Sequence, residues 1–247
     1  MDLTRIKNRL DKIQNSSNHR SNLWKPNQGK QQIRITPYKF DKDMPFIELQ
    51  FHYGINGKSI LSPLSFGNPD PIQEFAVKLQ SSGNKDDYML SRKLLPKKRT
   101  YCPIIVRGEE DKGIRFWGFG KTVYQELLSI ISDPDYGDIS DISNGRDITI
   151  DFKTAEELGT SFPKTLVRVK PLQTPLFEDK EVVRKWINDQ VSIKEVFREE
   201  SYSDMENHLN KWLNNVPSEE DEELPSISNQ TEKSAEESFD ELFTKSK

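Results

Sequence analysis

The sequence is poor in cysteine and has no long apolar run. Cys102 is the single cysteine, so no disulfide can form within the chain. No stretch approaches the ~18 consecutive apolar residues that a membrane-spanning helix needs. The opening residues, MDLTRIKNRLDKIQ, lack the apolar core of a secretion signal. We therefore expect a soluble intracellular protein.

The sequence also lacks the residue patterns of common enzymes. Its three histidines, His19, His52 and His208, lie in different segments, and no HExxH, GxSxG or phosphate-loop motif occurs. GFGKT at 118–122 resembles the end of a phosphate loop but lacks the first glycine at the required spacing. The basic region contains no acid or histidine cluster for a metal ion, which disfavours a nuclease. We predict no enzymatic activity.

Apolar residues are scarce, and the acids are unevenly distributed. Hydrophobic residues make up 33% of the chain, at a mean hydropathy of −0.79. Between Pro217 and Lys247, ten acids and three lysines give a charge of −7, which leaves +3 for residues 1–216 of a chain whose net charge is −4. We predict a disordered acidic tail over 217–247. Such asymmetry favours a protein that binds nucleic acid or another anionic surface.

The middle of the chain predicts a β-rich core with interposed helices. Strand patterns occur in QQIRITPY, PFIELQFHYGI, KSILSPL, RTYCPIIVRG, KGIRFWGFG, RDITIDF and KTLVRVKPL. Helical patterns occur in DPIQEFAVKLQ and KTVYQELLSIISD, and beyond residue 178 in EDKEVVRKWINDQ and YSDMENHLNKWLNNV. We predict a mainly β, α+β fold. It would comprise an OB-fold core over residues 21–216 with a small subdomain and a helical C-terminal part.

Residues 1–20 predict a short basic amphipathic helix. Its apolar positions have helical spacing: Leu3, Ile6, Leu10 and Ile13. The other face includes Arg5, Lys7 and Arg9, and the polar linker NSSNHRSN follows. Because so short a helix is marginal alone in water, it either packs on its own domain or docks on another molecule. We expect the second.

Positive charge and aromatic rings are concentrated between Arg92 and Tyr124. Nine Lys or Arg and three acids lie between Arg92 and Lys121. Proteins hold single strands with cations that follow the phosphates and rings that stack on bases, and Arg107, Arg115 and Lys121 recur beside rings. Strand alternation predicts that Trp117 lines a groove beside Arg115 while Phe116 packs inside. Alternatively, these rings are ordinary core and the charges a solvated rim.

Several motifs carry a resemblance to a known family. WKPNQGKQQIRITP, YMLSRKLLPKKRTYCPIIV and RFWGFGKTVYQEL, followed by VRVKPL, resemble the single-stranded DNA-binding, helix-destabilising proteins of T-even-type bacteriophages. The resemblance spans roughly residues 24–177. It implies an OB-fold core that holds single-stranded DNA in a basic, aromatic-lined cleft, and a basic N-terminal segment that links neighbouring copies. It also implies an acidic tail that recruits replication and recombination proteins and covers the cleft, and a location in the host cytoplasm.

The resemblance also implies particular contact residues. The aromatic residues of the cleft would be Tyr88, Tyr101, Trp117 and, from PLFED, Phe177. The contacts to the DNA backbone would be Arg92, Lys93, Lys97, Lys98, Arg99 and Lys121. Within the tail, SFDELF places Phe239, Leu242 and Phe243 among acids, which suits a segment that folds on a partner protein.

One segment departs from the family pattern. The best-known member holds zinc with one His and three Cys in a subdomain that corresponds here to SPLSFGNPDPIQEFAVKL. Phe66 stands at the histidine position, and Asp70-Pro71-Ile72-Gln73 replaces Cys-Pro-x-Cys. What remains cannot hold zinc tetrahedrally. We therefore predict no cofactor, and a small apolar core made by Phe66, Ile72, Phe75 and Val77.

The sequence thus predicts a cooperative single-stranded DNA-binding protein without sequence preference, which acts in phage DNA replication, recombination and repair. An RNA-binding regulator of the same fold is an alternative, because contacts to 2′-hydroxyls cannot be identified from the sequence. A scaffold protein that acts through its acidic tail is another, but it leaves the cluster of cations and rings unexplained.

Overall fold

The computed structural model describes residues 22–214, which form a mixed α+β fold around one eight-stranded sheet. The strands are β1 (Leu23–Trp24), β2 (Gly29–Ile35), β3 (Ile47–Ile55), β4 (Lys58–Leu61), β5 (Lys97–Val106), β6 (Arg115–Phe119), β7 (Arg146–Lys153) and β8 (Lys164–Gln173). The helices are α1 (Pro71–Gln80), α2 (Lys85–Leu94), α3 (Lys121–Ser132), α4 (Ala155–Leu158), α5 (Lys180–Asn188), α6 (Ile193–Val196) and α7 (Tyr202–Asn214). No helix among these residues is long and apolar enough to cross a membrane.

Strand β5 organises the sheet. It pairs antiparallel with β6 along one edge, and along the other edge with β3 and then with β2. The sheet runs in the order β1-β6-β5-β2-β7-β8, and the β3–β4 hairpin joins it through β5. Among the described strands β8 pairs with β7 alone. Within residues 22–214 no strand pairing therefore closes the sheet into a barrel, and the OB fold stays a prediction.

The two faces of the sheet bury different apolar clusters. The main core lies on one face, where Cys102, Ile104 and Trp117 pack with residues of β2, β7 and α3. On the other face of β3, β5 and β6, residues such as Leu49 and Phe116 pack against α6. Because β5 is covered on both faces, Thr100 to Val106 are all buried, which explains its continuous apolar run.

The β3–β4 hairpin, α1, α2 and α7 form a smaller subdomain with its own core. That core contains Ile60 from the hairpin, Ile72 and Ala76 from α1, Leu94 from α2 and Met205 from α7. Asp70 caps α1 by accepting hydrogen bonds from the amides of Ile72 and Gln73. The chain therefore returns to this subdomain at its C-terminal helix, after passing across the sheet at α6.

The predicted mixed α+β class is confirmed, and every strand and helix that the sequence patterns predicted between residues 22 and 214 is present. Helix α2 was not predicted, because KDDYMLSRKL has few apolar residues; Asn84 caps its start. The predictions for the N-terminal helix with Arg5, Lys7 and Arg9, and for the tail with Phe239, Leu242 and Phe243, lie outside the described residues.

Candidate nucleic-acid interface

Six of the predicted contact residues form a basic rim, which we define as Arg92, Lys93, Lys97, Lys98, Arg99 and Lys121. The first two lie in the last turn of α2, and the next three begin β5. Lys121 begins α3, two residues after Phe119, which pairs with Thr100 of β5. The three segments therefore meet at one end of the sheet, and all rim residues except the half-buried Arg99 are exposed.

Two rim residues contact polar groups of neighbouring strands. Lys98 Nζ lies 3.0 Å from Glu48 Oε2, in a pair whose side chains are 69% and 42% exposed, so the pair is weak. Arg99 Nη2 donates to the carbonyl O of Gly118 at 2.9 Å, which fixes its guanidinium beside the end of β6. A polyanion could therefore approach Lys98 without first displacing a strong ion pair.

Tyr88 is a predicted cleft ring that remains available to solvent beside the rim. It lies on α2, four residues before Arg92, so both side chains project from the same face of the helix. The residue is 48% exposed. A base could stack on this ring while its phosphate meets a cation of the rim.

Tyr101 is buried, which corrects the expectation that its ring lines an open cleft. It is 7% exposed and packs 4.9 Å, between ring centroids, from Phe197 and 6.1 Å from Phe51. On the sheet side its ring lies over Gly118, where an added Cβ would come within 2.5 Å of the ring. Burial raises the pKa of Tyr101 to about 12. The ring is thus enclosed between the sheet and the segment after α6.

Trp117 is also buried, so the prediction that it lines an open groove is wrong, whereas Phe116 packs inside as predicted. Trp117 lies in the main core, 1% exposed, with ring centroids 4.5 Å from Phe119 and 6.2 Å from Trp24. Phe116 points to the opposite face, toward Tyr38, and is buried as well. Side chains alternate along β6 as expected, but apolar residues cover both faces of the strand, including the face predicted to be open.

Arg107 and Arg115 lie apart from the rim and bind acids of the same chain, which corrects their assignment to an open cleft. Arg107 Nη2 lies 2.8 Å from Asp147 Oδ1, and its Nη1 donates to the carbonyl O of Leu176 at 2.7 Å. Arg115 Nη2 lies 2.7 Å from Glu109 Oε2, and hydrogen bonds from Lys112 and Arg115 hold the pKa of Glu109 below its usual value. These two guanidinium groups stabilise the fold.

Phe177 lies in a different environment from the rim. Its ring packs 5.1 Å from that of Trp186 and lines a groove of about 620 Å³ with Ile142 and Ile187. No rim residue lines this groove.

The subdomain is held by a buried polar network that the sequence did not reveal. His52 Nε2 lies 2.7 Å from Asp70 Oδ2, and its Nδ1 lies 2.6 Å from the carbonyl O of Leu94, so both ring nitrogens face oxygen atoms. Ser62 Oγ donates to the same carboxylate oxygen. Burial opposes ionisation of Asp70, but the hydrogen bonds from His52 and Ser62 outweigh it and lower the pKa of that carboxyl. The network joins β3, the end of β4, α1 and α2.

The residues at the family's zinc position do not fit a metal ion. Both oxygens of Asp70 and both ring nitrogens of His52 are engaged in the network. Within residues 22–214, no three His, Cys, Asp or Glu side chains are grouped to hold a metal. The predicted apolar core of this segment is partly wrong: Ile72 and Phe75 join the subdomain core, but Val77 is exposed and Phe66 packs against the sheet cluster.

Comparison with known proteins gives one family match. A family model described as "gp32 DNA binding protein like" matches residues 27–216, which is most of the chain. No curated protein matches the sequence.

Proposed function

The chain belongs to the gp32-like family of DNA-binding proteins, and from that premise we propose that it binds single-stranded DNA through the basic rim. The observation that carries the proposal is the meeting of six cations at one end of the sheet, with the exposed ring of Tyr88 on the helix face that bears Arg92. Cations follow a phosphate backbone of any sequence, and an exposed ring can stack only on an unpaired base. Binding would therefore be selective for single strands and indifferent to base sequence.

The strand order supports an OB-fold core as the scaffold of this site. Five strands, in the order β6-β5-β2-β7-β8, have α3 inserted between β6 and β7. A five-stranded Greek-key barrel that is partly open has its ligand face on its second and third strands. In chain order the five strands are β2, β5, β6, β7 and β8, so the second and third would be β5 and β6. The rim lies at one end of these two strands.

The charge distribution supports wider roles. A core that binds single strands, joined to a tail of charge −7, suits a protein that coats and protects DNA during phage replication, recombination and repair. Residues 1–20 would link neighbouring copies along the strand. The tail would contact other replication and recombination proteins in the host cytoplasm. These roles rest on the family resemblance and on the sequence outside residues 22–214.

A titration of labelled oligo-dT, monitored by fluorescence anisotropy at several salt concentrations, tests the rim. The test variant is Lys93→Gln, Lys98→Gln, Lys121→Gln. The matched control is Lys42→Gln, Lys185→Gln, Lys211→Gln, which removes the same charge from exposed lysines outside the rim. The slope of log K against log salt is negative, and each lost phosphate contact makes it shallower by about 0.7. The rim variant should therefore have a slope shallower by roughly 2, and the control should match the unchanged protein.

Two competitors complete the test. A hairpin duplex should compete poorly, because its bases are already stacked, and oligo-U distinguishes an RNA-binding regulator of the same fold. Preference for duplex, or equal slopes for both triple variants, would contradict the rim as the site. Stronger competition by oligo-U than by oligo-dT would favour the RNA regulator.

We also propose that binding requires no metal ion, since Asp70 stands where the resemblance implies a cysteine ligand and its carboxylate is hydrogen-bonded to His52 and Ser62. Elemental analysis of the purified protein should find no stoichiometric zinc, and a chelator should leave DNA affinity unchanged. One zinc per chain, with loss of folding on chelation, would overturn this proposal.

A further inference from the structure

A polar groove crosses the outer face of β2, β7 and β8. It encloses about 350 Å³ and is lined by the polar side chains Lys30, Gln32, Thr149, Asp151, Arg168 and Lys170. None of these residues belongs to the basic rim. Three cations and one acid give the groove an excess of positive charge.

The strand register brings these side chains together. Gln32 lies opposite Thr149, which lies opposite Arg168, and Lys30 lies opposite Asp151. Side chains two residues apart in a strand share a face, so Lys30 lies beside Gln32 and Lys170 beside Arg168. The other face of the same strands carries residues of the main core, among them Ile148 and Ile150. The groove is therefore built on a rigid support rather than on loops.

The groove cations are available to a ligand, in contrast to other cations of the sheet. Within residues 22–214, Lys30, Arg168 and Lys170 form no salt bridge. On the same face, Arg34 is buried and pairs with Asp147, which also binds Arg107. Acids of the same sheet thus neutralise the inner arginines, whereas Lys30, Arg168 and Lys170 are exposed and have no acid of residues 22–214 at salt-bridge distance.

The lining suits a phosphate backbone and not a base. No aromatic side chain lines the groove, so it offers no ring on which a base could stack. Arginine can donate two parallel hydrogen bonds to a phosphate, and lysine acts as a point charge beside it. The side-chain amide of Gln32 and the hydroxyl of Thr149 add neutral donors.

We propose that this groove is a second binding surface for the phosphate backbone of single-stranded DNA, separate from the rim. The inference rests on the proposed function. A short oligonucleotide fills the rim alone, whereas a longer strand engages the groove as well, so the groove raises affinity only above a minimum length. It contributes no base preference and adds its own share to the salt dependence.

The test uses the full chain with the substitutions Lys30→Gln, Arg168→Gln, Lys170→Gln. The matched control is again Lys42→Gln, Lys185→Gln, Lys211→Gln, and both sets are exposed. Anisotropy titrations with oligo-dT of increasing length measure affinity and salt slope, and urea unfolding checks that both variants remain folded. For long oligonucleotides the negative slope of log K against log salt should be shallower by about 2 in the groove variant. Its affinity near 0.1 M salt should be roughly 10-fold to 100-fold lower. For the shortest binding length it should equal the control.

Each other outcome overturns the proposal in a distinguishable way. If the groove variant equals the control at every length, the groove cations are a solvated face. If the groove variant binds DNA more tightly than the control, and deletion of residues 217–247 removes that difference, the groove holds the acidic tail instead of DNA. If the control and the unchanged chain both fail to bind oligo-dT, the proposed function itself is wrong, and the groove fails with it.

Discussion

At the residue scale, burial separates side chains that the sequence placed in one class. Tyr101 and Trp117 lie within the basic, ring-rich region 92–124, Tyr88 lies just before it, and each is an aromatic residue near cations. In the structure Tyr88 is exposed, Tyr101 is enclosed beneath Phe197, and Trp117 belongs to the main core. The three rings therefore have different expected roles in stability and in binding.

The first prediction compares Trp117→Ala with Tyr88→Ala. Removing the core ring of Trp117 leaves a cavity, so the free energy of unfolding should fall by about 3–5 kcal/mol. Tyr88→Ala should leave that free energy nearly unchanged, yet weaken binding to oligo-dT by about 1–3 kcal/mol, the usual contribution of a stacked base. Urea unfolding and anisotropy titration measure the two quantities. A stable Trp117→Ala protein with impaired binding would return Trp117 to the DNA site.

The second prediction concerns Asp70→Asn. Asparagine can still cap α1, but it removes the carboxylate that is hydrogen-bonded to His52 and Ser62, and each hydrogen bond to a charged group contributes about 1.5–3 kcal/mol. Because the folded pKa of Asp70 is depressed, its contribution to stability is complete above the unfolded pKa of about 3.9 and is lost as pH falls through the lower folded pKa. Urea unfolding between about pH 5 and pH 2 should thus show a difference from the unchanged protein that shrinks as pH falls below about 4. A difference that stays constant or grows as pH falls below about 4 would contradict this network.

At the element scale, the position of positive charge depends on which segments meet. The family resemblance implied all six rim residues as backbone contacts, and the structure places them in the last turn of α2, at the start of β5 and at the start of α3. Helix α2, which the sequence patterns missed, carries Tyr88, Arg92 and Lys93. The interface is therefore composed of the ends of three elements.

The third prediction concerns residues 1–20 as one amphipathic element. Docked on a neighbouring copy, each buried Leu or Ile would contribute about 1.5–3 kcal/mol before ordering costs, and neighbours on one strand are held at high local concentration. Deleting residues 1–20 should leave affinity for an oligonucleotide of single-protomer length unchanged and abolish cooperativity on long strands.

A triple substitution tests whether the apolar face of residues 1–20 causes the cooperativity. The variant Leu3→Ser, Ile6→Ser, Leu10→Ser should reproduce the effect of the deletion. It removes three of the four apolar residues while keeping Arg5, Lys7 and Arg9. Titrations of long poly-dT, together with electron microscopy, would show scattered instead of clustered protein. Clusters that persist after the deletion would assign these residues to packing on their own domain.

At the scale of the whole molecule, charge is divided between a positive body and a negative end. Residues 217–247 carry −7 and the rest of the chain +3. A tethered polyanion competes with DNA for the same cations, and this competition weakens as salt screens the charges.

The fourth prediction is that deleting residues 217–247 tightens binding to oligo-dT at low salt, with a difference that shrinks as salt rises. A matched control replaces Phe239, Leu242 and Phe243 with alanine. It keeps the charge of the tail, so DNA affinity should not change, although binding of partner proteins through SFDELF should be lost. Equal affinity at low salt with and without the tail would exclude the competitor role.

The sequence determined the order of strands and helices, because hydrophobic period and turn residues are local properties. DPIQEFAVKLQ and RDITIDF, for example, match α1 and β7 closely. It also determined the division of charge, which is a matter of counting, and the family, which rests on motifs.

Only the tertiary structure decided which rings and cations are available to DNA. Alternation shows that Phe116 and Trp117 face opposite ways, but a sheet covered on both faces buries both. Arg107 and Lys170 look alike in the sequence, yet Asp147 lies beside only one of them. His52 and Asp70 meet across several elements that only folding brings together. Burial and charge pairing depend on contacts between residues distant in the chain, and local sequence patterns do not contain those contacts.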